Sequence, residues 1–437
     1  MTSAAPSAAP VFFGWRMVLV AFFVDFVAVG FFFYSYGVFY GELAGEFGDS
    51  RLGVGLGLTA VQVSGGLLAP FIGQALDRYP LKRVIATGAV AMGLGFLLLS
   101  QVASYAQFYL VLGAFIGFGA GAMGGLATAK LVSNWFESKR GTALGIAATG
   151  ISASGVVMPA ITALIVERFG WREGFLLYGA FTILVVVPLV LRLVISRPED
   201  VGQRVDGKAN PLARRGSAGA TASVEPGAGS PTATPAHDAN RGSALRDPQF
   251  WSLTIGVGLL FCCMSATLTH MVPRLVDTGY RLSEASLMLS LAAGFGIVGK
   301  LVVGWLADRW TGRHTFWLAA LSQALGQIGM FYPEQPLVFA VGAVFFGFGF
   351  GGVVPMQGAL IGQLFGRARF GRVMGLMRPG MLPVQVIGVP AAGAVFDATG
   401  SYDLAFGASF VLYALAALVV LPLRTGRGHR RPRPLRE

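Results

Sequence analysis

Two cations lie deep in apolar stretches of this chain. Lys300 and Arg378 each sit about eight residues in from the end of a long apolar run. At ~1.5 Å per residue that is ~12 Å deep in a hydrocarbon layer ~30 Å thick. An ionisable side chain at such depth costs at least ~2.5–3.5 kcal/mol and marks a functional site by default. No acidic residue lies at that depth on either run, so the pair points to capture of an organic anion, with a structural pairing to Asp25 as the alternative. Asp25 is the one acidic residue well inside an apolar run. It fits a proton carrier, or a counter-ion that holds Lys300 or Arg378 when no anion is bound.

Around these charges the polar groups are few. Phe31, Phe32, Phe33, Tyr34 and Tyr36 form an aromatic block in which Tyr34 can offer a hydroxyl to a carboxylate. Gln62, Gln357 and Gln385 are mid-run amides that serve either as ligands or as interhelical hydrogen bonds. His270 and Arg274, one helical turn apart near the expected periplasmic end, fit a periplasmic gate or a polar interfacial turn. Lys130 is close enough to the end of its run to snorkel out. Cys262 and Cys263 are adjacent and would point apart on a helix, which excludes a disulfide framework and a metal site. No His/Asp/Glu cluster has metal or nucleophile spacing, and no phosphate-binding Gly-rich loop is present. No metal, no cofactor and no enzymatic activity are expected.

The elements that must hold these residues are membrane helices. With 54% hydrophobic and only 12% charged residues, 62 Gly and 34 Phe, the 437-residue chain reads as an all-α polytopic membrane protein. Runs of about 20 apolar residues predict six spans over roughly 15–40, 52–76, 83–102, 106–132, 141–166 and 174–195. Six more are predicted over roughly 249–274, 283–307, 314–332, 336–363, 371–396 and 403–423. Domains follow: a tail over 1–14, a six-helix bundle over 15–195, a linker over 196–248, a second bundle over 249–424 and a basic tail over 425–437. The start, Met1 to Pro10, is Ala/Pro-rich and unlike a cleaved signal. The linker is rich in Pro, Ala, Gly and Ser and cannot bury a core.

Most of the 33 lysines and arginines fall in the loops after even-numbered helices and in the tail, whereas the opposite loops hold Arg51, Arg168, Arg172 and Arg281. Cationic loops stay inside, so both termini are expected in the cytoplasm and the protein in the cell's inner (plasma) membrane. The net charge of +12 is thereby assigned to anionic headgroups, and no nucleic-acid partner is expected.

The two halves repeat each other. Gly73-Gln-Ala-Leu-Asp77-Arg78, followed by Lys82 and Arg83, returns as Gly304-Trp-Leu-Ala-Asp308-Arg309, followed by Arg313. Gly117-Phe-Gly-Ala-Gly121 returns as Gly347-Phe-Gly-Phe-Gly351, and Arg140-Gly141 with Gly145 answers Phe370-Gly371 with Gly375. Such a repeat in so apolar a chain predicts two pseudo-symmetric six-helix bundles. An Asp at a helix end can bridge to basic groups and neighbouring helix termini, a latch for one of two states.

These motifs resemble those of the major facilitator superfamily, whose signature Gly-x-x-x-Asp-Arg between helices 2 and 3, and its counterpart between helices 8 and 9, match the two copies. The resemblance implies a twelve-helix transporter working by alternating access. Phe13-Gly14-Trp15-Arg16, Tyr36-Gly37-Val38-Phe39 with Glu46-Phe47-Gly48, Asn134-Trp135-Phe136 with Arg140-Gly141, and Gly299-Lys300 resemble the monocarboxylate and oxalate–formate branch. That branch carries a substrate-binding Arg on helix 8, and its oxalate type a Lys on helix 11. Here the types are exchanged, as Lys300 and Arg378. Its proton-coupled members place an Asp one turn before the helix 8 cation, where this chain has Gly296, and a helix 1 Lys, where it has Phe33 or Tyr34. The expectation is secondary active transport of a mono- or dicarboxylate, by symport or antiport, in a monomer. A proton-coupled transporter or exporter of another small molecule, or a non-transporting membrane sensor, are the alternatives.

Overall fold

A computed structural model describes residues 12–48, 50–137, 139–207, 245–366 and 369–423. Most of the N-terminal tail and linker, and the whole basic tail, lie outside the described residues.

Among the described residues, twelve helical rods follow one another: α1 Gly14–Glu46, α2 Arg51–Arg78, α3 Leu81–Leu99, α4 Tyr105–Trp135, α5 Arg140–Phe169 and α6 Trp171–Leu193. After the linker come α7 Pro248–Asp277, α8 Leu282–Arg309, α9 Gly312–Gly329, α10 Pro336–Phe365, α11 (Phe370–Gln385 and Gly388–Thr399) and α12 Asp403–Val419. Within each half the connections are short enough to force antiparallel neighbours. A single residue, Gly170 at φ +90°, joins α5 to α6, a conformation that L side chains rarely adopt.

Ten of the rods are long and apolar enough to cross a membrane. The expected twelve spans therefore divide into ten strong ones and two weaker. The helix α9 carries Gln323 and Gln327, both fully buried against protein, which lowers its hydropathy without exposing polar atoms to lipid. The helix α12 is short, at 17 residues. Elsewhere boundaries moved by a few residues; α1 runs on to Glu46, well past the expected end near 40.

Rods α1–α6 share one apolar core, from Met17 to Val194. A second core, from Phe250 to Leu423, fills α7–α12. A third cluster joins α7, α8, α10 and α12 to Val38 of α1 and Ala163 of α5, so that the halves touch through apolar packing. Across the divide α5 lies along α8, the end of α1 along α7, and α2 along the second segment of α11.

The sequence repeat is a packing repeat. A Cβ on Gly117 of α4 would collide with the Ser64 hydroxyl and approach the Val61 carbonyl of α2. In the second half a Cβ on Gly347 or Gly351 of α10 would collide with the carbonyls of Ala292 or Gly296 of α8. Glycines thus bring two backbones into direct contact in both halves, as lipid-embedded helices require when no hydrophobic force drives their association. In the second half this contact sets the position of the helix that carries Lys300.

Candidate functional site

A cavity of about 160 Å³ lies between the halves at mid-height. At ~30 Å³ per water that is room for about five waters, below the 300–1,000 Å³ of sites for drug-sized ligands. Its polar lining is Lys300 of α8, Ser152 of α5 and Tyr34 of α1. The rest is apolar, including Phe33, Phe261, Met264, Leu268, Phe350 and Val354. A larger hollow of about 310 Å³ at the α3–α6 end is a groove between loops. There Arg172 is held by Glu46 and by the carbonyls of Ser100 and Val102.

Lys300 Nζ donates to Ser152 Oγ at 2.6 Å, a bond from one half to the other. Ser152 is 7% exposed. Among the described residues no carboxylate is bonded to Lys300. The cation is instead framed by a neutral hydroxyl and aromatic rings. The position one turn before it, Gly296, offers no side chain and packs against Phe350. Tyr34 reaches the cavity through a π-helical turn, Gly30–Tyr34, which adds a residue to that turn of α1 and re-aims Phe33 and Tyr34. A Cβ on Gly155 of α5 would meet the Tyr34 ring at 2.6 Å, so the small residue makes room for it.

Arg378 is not in the lining of this cavity. Arg378, Leu382 and Gln385 occupy one stripe of α11 at i, i+4 and i+7. Gln385 Nε2 donates to Gln62 Oε1 of α2 at 2.9 Å, and Leu382 lies against Gly66 of α2. Arg378 therefore stands on the same inter-half stripe, nearer the terminus-bearing end, and is exposed. Gln62 and Gln385 join the halves, and Gln357 is buried with its amide 3.9 Å from Met381 Sδ. None of these three lines the Lys300 cavity.

Asp25 is engaged elsewhere. Its two carboxylate oxygens each lie 3.0 Å from the Thr128 hydroxyl of α4, and both residues are buried, at 3% and 1% exposure. The expected alternative of a counter-ion for Lys300 or Arg378 is not realised here, because Asp25 faces α4 inside its own bundle.

One end of the inter-half space is sealed by a network built mostly from residues the sequence did not single out. Asp397, at the end of α11, accepts from Ser50 Oγ (3.0 Å) and the backbone N–H groups of Arg51 (2.8 Å) and Leu52 (2.9 Å). It caps α2 of the other half. Glu167, at the end of α5, accepts from Ser283 N at 2.7 Å and does the same for α8. The two carboxylates are related by the repeat: each stands three residues before the glycine that ends its helix, Gly170 or Gly400. That spacing was the available signal.

The Arg51 guanidinium bonds Asp277 (2.6 Å) and Tyr402 (2.9 Å) and lies over the Phe396 ring. His270, fully buried, donates from Nε2 to the Val389 carbonyl at 3.0 Å, since a carbonyl can only accept. Its Nδ1 then accepts from the Tyr402 hydroxyl at 3.2 Å. His270 thus belongs to the seal, whereas its expected partner Arg274 bonds Asp403 of the same half at 2.6 Å.

At the terminus-bearing end, Asp77 pairs with Lys130 of α4, within one half. This is where Lys130 goes, in place of the lipid interface. Arg78 is exposed, and Arg309 lies over Trp305 of its own helix at 3.9 Å. Gly73 has open space about it, and Gly304 faces Pro355 at 3.5 Å. The Asp308 side chain lies outside the described residues. Val354 in the cavity lining is half-exposed, and Arg378 is exposed.

The sequence profile of the Major Facilitator Superfamily matches residues 18–380, with a second, overlapping match over 313–437. The chain belongs to the Major Facilitator Superfamily. Monocarboxylate transporter 13 of Bos taurus is 26% identical over 94% of this chain and 89% of its own length. Monocarboxylate transporter 11 of Homo sapiens is 27% identical over 90% and 79%, and the uncharacterized MFS-type transporter YcxA of Bacillus subtilis (strain 168) 24% over 92% and 94%. Among solved structures, the nucleoside transporter NupG superposes with a TM-score of 0.72 at 10% identity, over 94% of this chain and all of that one. A bacterial homolog of the human lysosomal transporter Spinster, in an inward-facing and occupied conformation, gives 0.66 at 15% identity over 97% and 98%. These likenesses establish the fold. As a superfamily member the chain is a multi-pass membrane transporter and not an enzyme.

Proposed function

We propose that this transporter carries a small organic monocarboxylate by alternating access, with the carboxylate bound at Lys300. The carrying observation is the Lys300–Ser152 contact: a cation at mid-height, bonded across the halves to a neutral hydroxyl, in a small and otherwise apolar cavity. A carboxylate entering there gains the ammonium and the Ser152 hydroxyl as donors, with the Tyr34 hydroxyl within the same lining, while its carbon skeleton meets Phe33, Phe261 and Phe350. Among the described residues the lining holds one cation, which favours one carboxylate over two. The related monocarboxylate transporters 13 and 11 agree with this class.

In this reading Arg378, exposed on the α11 stripe beside α2, attracts anions toward the site from the terminus-bearing end. In this proposal the termini face the cytoplasm of a plasma-membrane protein, as the cationic loops of the same side favour. The Asp77 and Asp308 clusters latch that side when it closes, and the opposite seal then parts.

Uptake of labelled monocarboxylates into proteoliposomes tests the proposal. Lys300→Ala is expected to abolish saturable uptake. Ser152→Ala removes one hydrogen bond to a charged group, worth ~1.5 kcal/mol at the low end, and is expected to raise KM about tenfold. Wild-type kinetics in Lys300→Ala would refute the site.

A further inference from the structure

We infer that an anionic phospholipid of the leaflet on the terminus-bearing side binds at the corner where α3 begins and α6 ends, its phosphate held by Lys82, Arg83 and Arg192. This site is independent of the Lys300 cavity and belongs to the first half alone.

The corner is a built junction. Lys82 N donates to Ser196 Oγ at 3.4 Å, so the first turn of α3 touches the chain just beyond α6. Asn134 Nδ2 and Trp135 Nε1 of α4 donate to the carbonyls of Ser196 and Ile195, each at 3.0 Å, and fix that segment in place. Lys82 and Arg83 lie on one side of the contact, Arg192 and Arg197 on the other, each within four residues of it. Among the described residues no carboxylate pairs with Lys82, Arg83 or Arg192. The acids close by in sequence are few. Asp77 is paired with Lys130, Asp200 accepts from the backbone N–H of Arg197 at 3.0 Å, and Glu199 is exposed.

The cations head exposed apolar stripes. On α3 the exposed positions run Arg83, Thr87, Val90, Leu94 and Leu98, at helical spacing. On the adjacent α6, Leu177, Phe181 and Leu184 lie on the face that ends at Arg192. Two neighbouring stripes, each topped by a cation, match a molecule with an anionic head and acyl chains. A phosphate free in solution would use the cations and leave the apolar part unmatched. Each juxtamembrane cation raises the affinity for an anionic headgroup about fivefold.

The second half spends the equivalent charge on itself. Arg313 and His314 of α9 occupy the repeat positions of Lys82 and Arg83. Arg313 donates to the Leu421 carbonyl at 2.9 Å and lies over the Trp317 ring. The corresponding corner therefore offers no comparable cluster of uncommitted cations among the described residues.

Native mass spectrometry of the full chain tests this, with phosphatidylglycerol or phosphatidylcholine of the same chain length added to the detergent. Wild type is expected to retain one phosphatidylglycerol in preference to phosphatidylcholine, and excess inorganic phosphate should not displace it. Arg83→Gln/Arg192→Gln removes two exposed cations and should weaken retention by about 25-fold. Arg313→Gln should leave it unchanged. Equal retention of the two lipids by wild type overturns the inference without any variant. A double variant that holds phosphatidylglycerol like wild type, or an Arg313→Gln protein that loses it to the same degree, overturns it too. Displacement by inorganic phosphate would make the corner a site for soluble anions and sink the lipid assignment.

Discussion

Replacing Asp397 by Ala should shift the transporter toward the state in which the sealed end is open. The carboxylate accepts three hydrogen bonds from the start of α2, at 2.8–3.0 Å, and two of the donors are backbone N–H groups that α2 cannot satisfy internally. It therefore supplements Ser50, the N-cap of α2 that accepts from Gly53 N at 2.9 Å, with an acceptor from the opposite half, and it can hold only while the two halves meet at this end. Loss of a helix N-cap costs ~0.5–2 kcal/mol. Three bonds argue for the upper part of that range, and the exposure of Asp397 argues against exceeding it. A change of ~2 kcal/mol is about a 30-fold shift in the equilibrium between states. The pseudo-symmetric Glu167 has one such bond to Ser283, so Glu167→Ala should shift it only a few-fold. Spin labels at Gln101 and Glu334, exposed positions in the α3–α4 and α9–α10 connections at this end, report the separation of the halves by pulsed electron resonance. A longer-distance population should grow strongly in Asp397→Ala and modestly in Glu167→Ala. Distance distributions identical to wild type in both variants, with thermal stability unchanged, would refute the capping argument.

Two further outcomes follow from the packing. Gly351→Ala drives a methyl group into the Gly296 carbonyl, and overpacking of this kind costs ~1–3 kcal/mol, so a lower midpoint of thermal unfolding is expected together with weaker substrate binding at the displaced Lys300. Asp25→Asn keeps an acceptor for Thr128 and should leave folding and transport near wild type; loss of transport would show that Asp25 carries part of the transport cycle.

Much of the fold was legible because lipid permits few solutions. Uninterrupted apolar runs must be helices, as in α1, α7 and α10. The weaker α9 and α12 were legible too, although α9 hides Gln323 and Gln327 against its own bundle, which hydropathy cannot distinguish from exposure. At the site, Lys300 and Tyr34 were recognisable by depth and type. Ser152 was not, since a serine in an apolar helix signals nothing until it is seen 2.6 Å from an ammonium on another helix. Arg51 was noticed only as an out-of-place charge, and the seal it joins draws on the ends of α2, α7, α11 and α12.

What the sequence by itself determined is the class of object: a two-fold repeated helical transporter with unpaired cations at depth. Hydrophobicity, glycine spacing and charge placement are local properties and survive without coordinates. Which polar groups meet is not local. Two cations at equal depth were expected to share one anion, yet helix rotation puts Lys300 in the cavity and Arg378 on the stripe beside α2. Asp25 and Asp77, free by sequence to reach across the divide, are turned toward Thr128 and Lys130 within their own bundle. Only the rotation and tilt of packed helices decide such partners, because along one helix a side chain's direction turns through about 100° per residue while its depth changes by only ~1.5 Å.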